Sequence, residues 1–204
     1  MIETLRELLL DYGLTESGDR QAQVEAEIWN QFGAERTVLI WDMSGFSLLT
    51  RRHGIVHYLS MVRRMQEVTR PIVHQHGGSI VKFEADNGFA VFLKAEHGIR
   101  AAIKMNEAFE IENTRYPEEF DIRVSCGLDH GKIILLEGQD FFGDAVNTAS
   151  KLGEDTAKAG EILVSQTAIA TLPRDVNFDA TPLSFSISGL QLDAVLIKCS
   201  PDDD

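Results

Sequence analysis

The sequence predicts an α+β fold with a ferredoxin-like βαββαβ order, in which helices pack on an antiparallel sheet and short N-terminal helices precede it. Two patterns predict this fold. From residue 36 onward, β-branched and aromatic runs of strand length alternate with long helical patterns, and Asp86-Asn87-Gly88 separates two such runs as a hairpin signal. With 204 residues, 44% of them hydrophobic, the chain can bury its own core.

Residues 1–35 are predicted to form a helical leader, separate from a main domain over 36–204. Apolar residues recur there at helical spacing on either side of a break at Gly18-Asp19, and Gly33 is placed as a helix stop. Two short amphipathic helices follow from this pattern. They are open to three roles: packing on the domain, pairing with a second chain, or forming the tail of a signalling linker.

The main domain is predicted to begin with a strand at Thr37–Trp41 that ends in Asp42. Ser44-Gly45 then opens one long helix, which Pro71 kinks or ends. The apolar positions of that helix, expected to face inward, are Ile55, Leu59, Val62, Met65, Val68 and Ile72.

The following elements complete the predicted sheet, with its helices on one face. They are strands at Ser79–Glu84 and Phe89–Leu93, a helix at Glu96–Asn113, and a second hairpin of Phe120–Leu128 and Lys132–Leu136 around Asp129-His130-Gly131. Next come a helix at about Gly143–Leu152, a strand at Ile162–Ser165, a helix at Gln166–Leu172, and closing strands at Leu183–Ile187 and Ala194–Cys199.

Composition excludes several classes of protein. The chain has 19 Lys and Arg against 32 Asp and Glu, a net charge of -13, which disfavours a basic nucleic-acid surface. Its apolar runs are far shorter than the ~20 residues of a membrane span, and its start lacks a secretion signal. Because Cys126 and Cys199 cannot form a disulfide framework, a reduced, cytoplasmic location is expected.

Two aspartates are the first candidates for chemistry. Asp42 ends a buried strand, where an unpaired charge is costly, and Asp86 lies at a hairpin tip. Each has a simpler interpretation, since Asp42 can accept hydrogen bonds from the amides of the next helix and Asp86 can be a turn former. In a βαββ unit, however, the two can converge and hold Mg²⁺ with the carbonyl of Met43, while the amides of Phe46 and Ser47 approach a phosphate.

Three segments of the chain resemble the motifs of the class III adenylate and guanylate cyclase catalytic domain. They are LIWDMSGFSLL at 39–49, GGSIVKFEADNGFAVF at 77–92 and QDFFGDAVNTASKL at 139–152. This resemblance implies the class III nucleotide cyclase fold, with Asp42 and Asp86 as ligands of two Mg²⁺ or Mn²⁺ ions. The other implied roles are adenine contacts from Lys82 and Asp140, ribose positioning by Asn147, and transition-state stabilisation by Lys151.

The chemistry of these residue types agrees with the implied roles. Adenine presents an amino donor and a ring-nitrogen acceptor, which match Asp140 and Lys82, whereas the O6 acceptor of guanine suits Asp140 poorly. ATP is therefore favoured over GTP. Asn147 and Lys151 are four residues apart on a predicted helix and share a face, which is alternatively a solvated surface.

The sequence departs from the family pattern at three positions. Lys151 replaces an Arg, so a point charge replaces a bidentate fork at a cost of about 1 to 3 kcal/mol, or about 10- to 100-fold in rate. Ser125 stands where an Arg is usual, with Arg123 two residues earlier as a substitute triphosphate contact. Ala85 replaces the Gly that usually precedes the second metal Asp. Reduced activity is expected.

The predicted function is that of a phosphorus-oxygen lyase, an adenylate cyclase that converts ATP to 3′,5′-cyclic AMP and pyrophosphate. The resemblance implies a homodimer with two equivalent sites, each using residues of both subunits. The alternative is a weak or inactive cyclase homology domain that binds nucleotide or dimerises in signalling. A diguanylate cyclase is a third possibility, disfavoured because no GGDEF or GGEEF segment occurs. The sequence identifies no upstream signalling partner.

Overall fold

A computed structural model of the chain describes residues 2–187 and 190–198. The helices are α1 (Ile2–Leu14), α2 (Gly18–Phe32), α3 (Phe46–His53), α4 (Ile55–Gln75), α5 (Ala95–Asn113), α6 (Asp144–Ser150) and α7 (Gln166–Ala170), with a 3₁₀ turn at Glu118–Phe120 and a π-helical turn at Lys151–Thr156. The strands are β1 (Gly33–Met43), β2 (Ser79–Glu84), β3 (Asn87–Phe92), β4 (Val124–Leu136), β5 (Asp140–Phe142), β6 (Ile162–Ser165), β7 (Ala180–Ile187) and β8 (Leu190–Ile197).

One sheet connects these strands in the order β2-β3-β1-β4-β6-β8-β7, and β5 pairs with β4. All neighbouring pairs are antiparallel except β4 with β6, which is parallel. The predicted α+β class and the βαββαβ order are confirmed. Strand β1 lies between β3 and β4, so the end of β1 comes beside the tip of the β2–β3 hairpin.

Helices cover both faces of the sheet, which corrects the expectation that they share one. Along β1, Leu39 and Trp41 face a core shared with α4 and α5, whereas Val38 and Ile40 face a second core that includes Ala145 of α6. The alternation follows from the period of two along a strand. Trp41 is fully buried, and burying a large apolar side chain stabilises the fold by about 1.5 to 3 kcal/mol.

A close backbone contact brings α6 and the π turn onto that second face. A Cβ atom at Gly127 of β4 would lie 2.1 Å from the carbonyl oxygen of Ala149 and 2.3 Å from the amide nitrogen of Gly153. Only glycine permits this approach. The π turn therefore lies against β4 and against β1, the strand that carries Asp42.

The second predicted hairpin is wrong, because Val124–Leu136 is one continuous strand. The residues expected in the turn form side-chain hydrogen bonds within the sheet. The Asp129 carboxylate accepts the amide of His130 at 2.8 Å, and the His130 ring is hydrogen-bonded to Thr37 Oγ1 at 2.8 Å. Strand β1 also starts at Gly33 and pairs with β4 along its whole length. A turn-like local sequence is thus overridden by a long pairing partner.

The prediction of a single long helix is also wrong, because Gly54 adopts a φ of 86° and divides the segment into α3 and α4. The break resets the helical phase. Ile55 and Leu59, expected to face inward, are exposed, while Tyr58 and Met61 are buried. Pro71 does not end α4, which continues to Gln75.

The other predicted elements occur with shifted ends. The β2–β3 hairpin, α5, β6 and α7 lie close to their predicted positions, whereas β5 was not predicted. Strand β7 begins earlier than expected, at Ala180, and the predicted end of β8 at Cys199 lies outside the described residues.

The sequence left three roles open for helices α1 and α2, and the structure shows one of them, packing on the sheet. Leu5 of α1 and the α2 residues Val24, Ile28 and Phe32 form a cluster with Leu136 of β4. Helix α2 ends at Phe32 and β1 begins at once, at Gly33. A role of α1 and α2 toward a second chain or a signalling linker stays a prediction.

Candidate active site

The two candidate metal aspartates lie side by side. Strand pairing sets Asp42 opposite Asn87, and the amide of Met43 donates to the carbonyl oxygen of Asp86 at 3.2 Å. The N-cap of helix α3 is Gly45 and not Asp42, and the interpretation of Asp42 as an acceptor for the amides of the next helix stays a prediction. Asp86 does lie in the tight turn between β2 and β3.

The surroundings of Asp42 are rich in negative charge. Burial, followed by the carboxylates of Asp86 and Glu154, raises the pKa of Asp42 to about 7, although the Met43 amide opposes this shift. Burial also raises the pKa of Glu154. The side-chain oxygen of Asn87 is buried and has no hydrogen-bond donor among the described residues. Oxygen acceptors therefore outnumber donors at this corner of the sheet.

Such a set of oxygens fits a hard divalent cation. Like-charged carboxylates held together out of water are costly unless a cation neutralises them. The described residues contain no group of three or more His, Cys, Asp and Glu side chains arranged to hold a metal. Two carboxylates, supplemented by backbone, water and substrate oxygens, match the way Mg²⁺ is usually bound. The Met43 side chain is buried in the core, so only its backbone can contribute.

Tyr58 is a part of this site that sequence reasoning missed. Its hydroxyl donates to Oδ2 of Asp86 at 2.5 Å. Burial and the hydrogen bond to Asp86 raise the pKa of Tyr58 above its usual range, so the phenol stays protonated. The signal available in the sequence was a tyrosine hydroxyl within an apolar helical stripe, which also contains the buried Thr69.

Glu154, the other residue missed, lies in the π turn three positions after Lys151. Its carboxylate interacts electrostatically with Asp42 and Asp86. No local pattern predicted this position, because it depends on the close contact of the π turn with β4.

Backbone amides and one arginine occupy the side of the site expected to meet phosphate. Phe46 and Ser47 form the start of α3, where the first amides have no acceptor within the helix. The amide of Ser44 donates to the carbonyl oxygen of Arg123 at 3.0 Å, so Arg123 lies beside the segment that follows Asp42. Arg123 is exposed, whereas Ser125 is buried opposite Asp42 in the β1–β4 register.

Lys82 and Asp140, the predicted adenine contacts, meet directly. Lys82 Nζ lies 3.2 Å from Asp140 Oδ1 and 3.0 Å from Glu84 Oε2, and above the ring of Phe89 at 5.3 Å. Asp140 is held in turn by the amide of Phe141 at 2.9 Å. The hydrogen bond to Glu84 is the main reason why the pKa of Lys82 is raised. The unpredicted strand β5 is what brings Asp140 to this edge.

Asn147 and Lys151 lie on successive turns of one helical segment. Asn147 is exposed on α6, and its carbonyl oxygen accepts the amide of Lys151, where the π turn begins. The Lys151 side chain is half-buried and forms no ion pair with another described residue.

Both groups of candidate residues face the same side of the sheet. The register aligns Lys82 with Phe89 and Ile40, and Glu84 with Asn87 and Asp42. Cross-strand partners point to the same face. This face also carries α6 and the π turn.

Comparison with known proteins identifies the family of the chain. The sequence model of the adenylate and guanylate cyclase catalytic domain matches residues 33–189, more than half of the chain. The chain belongs to this family. Its cyclase domain includes all the predicted site residues, from Asp42 to Lys151.

Individual relatives of this cyclase domain are distant. A Rhizobium meliloti (strain 1021) protein named "Putative adenylate cyclase 3" is 30% identical over 128 residues, covering 63% of this chain and 22% of that protein. The chain thus spans about a fifth of that relative's length. A Silicibacter pomeroyi structure described as an adenylate/guanylate cyclase/hydrolase is 28% identical with a TM-score of 0.66, covering 81% of this chain and 96% of that one.

A third similarity concerns the fold alone. The adenylyl cyclase CyaB from P. aeruginosa superimposes with a TM-score of 0.70 at 19% identity, covering 84% of this chain and 98% of that chain. The class III cyclase fold implied by the sequence motifs is confirmed.

Proposed function

We propose that the chain is an adenylate cyclase that converts ATP to 3′,5′-cyclic AMP and pyrophosphate with two divalent metal ions at a homodimer interface. The observation that carries the proposal is the convergence of Asp42 and Asp86 on the sheet face that also bears the Lys82–Asp140 pair, where the two carboxylates form no ion pair with any described residue. Cyclases of this family generally use divalent metal ions and act on nucleotides.

Asp42, Asp86 and the carbonyl of Met43 would hold two Mg²⁺ or Mn²⁺ ions. Bound there, the ions supply Lewis acidity that eases loss of the 3′-hydroxyl proton and neutralises phosphate charge. The excess of oxygen acceptors around Asp42 supports this assignment.

The Lys82–Asp140 pair supports ATP as the substrate. An ammonium that can donate to a ring nitrogen and a carboxylate that can accept from an amino group complement the edge of adenine. Glu84 shares Lys82 with Asp140, so substrate binding requires Lys82 to exchange one carboxylate partner for the base.

In the proposed reaction, the 3′ oxygen forms a bond to the α-phosphorus. The bond from that phosphorus to the bridging oxygen breaks, pyrophosphate leaves with the electron pair, and the hydroxyl proton passes to water. Lys151 stabilises charge on the α-phosphate, and Asn147 orients the ribose. Arg123 and the amides of Phe46 and Ser47 hold the remaining phosphates.

A homodimer completes this proposal, with metal residues from one subunit and base and transition-state residues from the other. Exposed apolar side chains near the break between α3 and α4 support self-association, namely Leu48, Ile55, Val56 and Leu59. No helix in the described part of the chain is long and apolar enough to cross a bilayer. The proposal keeps the cytoplasm as the location, because ATP is available there.

Specific observations favour a second candidate, a cyclase domain of weak or absent activity that serves as a nucleotide-binding or dimerising module. Lys151 lacks the fork of an arginine, Ser125 is buried without a charge near Asp42, and Ala85 holds a left-handed φ of 51° beside Asp86.

The decisive experiment incubates the purified chain with Mn²⁺ and either ATP or GTP and measures both cyclic nucleotides by chromatography. Cyclic AMP from the wild type, with none from Asp42→Ala, is expected. Absence of both products would favour the second candidate instead, as a nucleotide-binding module if ATP still shifts the melting temperature and as a dimerising module if it does not. Lys151→Arg is expected to raise turnover by about tenfold, and an unchanged rate would remove Lys151 from its assigned role.

A further inference from the structure

Tyr58 connects a helix of one sheet face to a carboxylate at the end of the hairpin. It is 2% exposed and lies one turn inside α4, with its amide bonded to the carbonyl of Gly54 at 3.4 Å. Its hydroxyl reaches Oδ2 of Asp86 at 2.5 Å. This short contact is typical of an O–H group that donates to an ionised carboxylate.

The two partners differ in how firmly they are held. Helix α4 has 21 residues, and Met61 and Met65 anchor it fully in the core. Asp86, by contrast, follows the exposed Ala85, whose φ of 51° is unfavourable for a residue with a side chain. Main-chain support at Asp86 comes from the amide of Met43 on its carbonyl oxygen. The Tyr58 hydroxyl is what fixes its carboxylate.

A buried phenol needs a hydrogen-bond acceptor, and any carbonyl would satisfy that need. The choice of Asp86 has a further consequence. With Oδ2 occupied by Tyr58, the rotation of the carboxylate is restricted and the lone pairs of Oδ1 remain available. Groups that hydrogen-bond to metal ligands orient them, and losing such a group commonly weakens metal binding about 10- to 100-fold.

We propose that Tyr58 is a positioning residue of the metal centre, which holds the Asp86 carboxylate in the orientation that receives a divalent cation. This inference rests on the proposed function, since it takes Asp86 to be a metal ligand. Tyr58 touches neither metal nor nucleotide in this assignment and acts only through Asp86.

The test compares Tyr58→Phe, which keeps the ring and removes only the hydroxyl, with Tyr116→Phe as the matched control. Tyr116 lies on the surface beneath the Arg64 guanidinium, far along the chain from the hairpin tip. Binding of Mn²⁺ to the 204-residue chain is measured without nucleotide, by electron paramagnetic resonance of the free ion. Thermal unfolding in a chelator verifies that each variant is folded.

Tyr58→Phe is expected to raise the Mn²⁺ dissociation constant about tenfold, while Tyr116→Phe leaves it unchanged. Cyclase activity of Tyr58→Phe should return toward the wild-type maximum at high Mn²⁺, which a general structural defect would not allow. In an Asp86→Asn background, adding Tyr58→Phe should have no further effect on Mn²⁺ binding.

Two outcomes separate this inference from the proposed function. If Asp86→Asn abolishes Mn²⁺ binding but Tyr58→Phe binds as the wild type does, the positioning role is wrong and the proposed function stands. If Asp86→Asn itself binds Mn²⁺ normally, the metal assignment and the positioning role both fall.

Discussion

Asp129 lies in the interior of β4 and Asp42 lies near the end of the neighbouring strand β1, and the surroundings of the two aspartates are opposite in character. Asp129 of β4 accepts hydrogen bonds from the His130 amide and from Ser165 Oγ, and Thr148 adds another. Asp42 of β1 faces the carboxylates of Asp86 and Glu154. Burial raises the pKa of both groups, but donors oppose the shift at Asp129 whereas anions enlarge it at Asp42.

The difference separates a structural carboxylate from a functional one. Ser165 also accepts the amide of Ala168, so the Asp129 network ties β4 to the start of α7. Its hydrogen bonds are complete within the protein. The charge at Asp42 is not balanced within the described residues, and such imbalance is how a site for a cation differs from a satisfied interior group.

The largest expected effect is that of removing the charge of Asp42, which tests whether this carboxylate is functional. Asp42→Asn removes a charge meant for a metal and should reduce cyclic nucleotide formation by about 100-fold or more, because metal ions supply several kcal/mol of stabilisation. Product formation under Mn²⁺ measures it. Asp193→Asn, at an exposed position, is the matched control. If the Asp42→Asn variant were as active as this control, Asp42 would not be a functional carboxylate.

The structural role of Asp129 is tested by the variant Asp129→Ala. Removing the acceptor leaves buried donors of His130 and Ser165 without a partner, and the free energy of unfolding should fall by about 2 to 3 kcal/mol. Denaturant titration measures the loss, and Asp193→Ala should stay within about 0.5 kcal/mol of the wild type. Equal stability of the two variants would contradict the structural role.

The two carboxylates should also separate in their dependence on pH. A carboxyl whose pKa is raised to about 7 in the folded protein contributes stability that is complete below its ordinary value of 3.8 and is lost as pH rises through about 7. In a chelating buffer, the melting temperature of Asp42→Asn should therefore rise relative to that of the wild type as the pH increases from about 4 to 7. Saturating Mn²⁺ should remove this gain, whereas a constant difference at all pH values would argue against the burial of an unbalanced charge.

The smallest effect concerns the backbone beside Asp86. Ala85→Gly relieves a left-handed φ of 51° and should stabilise the chain by about 0.5 to 1 kcal/mol. Ala159→Gly is the control, because this exposed residue has no positive φ and should lose stability. Thermal melting of the pair decides whether the backbone at the hairpin tip is strained, and equal losses of stability in the two variants would contradict such strain.

Much of the fold followed from local patterns in the sequence. The β2–β3 hairpin, α5 and β6 carry turn signals and apolar periods that agree with their final structure. The errors occur where a distant partner prevails over local preference. The turn-like Asp129-His130-Gly131 segment became strand because β1 pairs along it, and β5 exists only as a partner of the end of β4.

The candidate site divides in the same way. The meeting of Asp42 with Asp86 was predictable, since a strand and the hairpin that pairs with it bring those positions together whatever surrounds them. The motif residues Lys82, Asn147 and Lys151 were likewise recognisable, and their catalytic roles stay predictions. Tyr58 and Glu154 were not recognisable, because their positions depend on how α4 and the π turn pack on the sheet.

By itself, the sequence indicated most of the helices and strands, the family motifs that the chain carries, and two carboxylates that can converge. Only the tertiary structure decided that Lys82 also pairs with Asp140, that hydrogen bonds satisfy Asp129, and that no described residue balances the charge of Asp42. The physical reason is that hydrogen-bond satisfaction and charge balance depend on groups far apart in the chain. Strand and helix periods, by contrast, are properties of neighbouring residues.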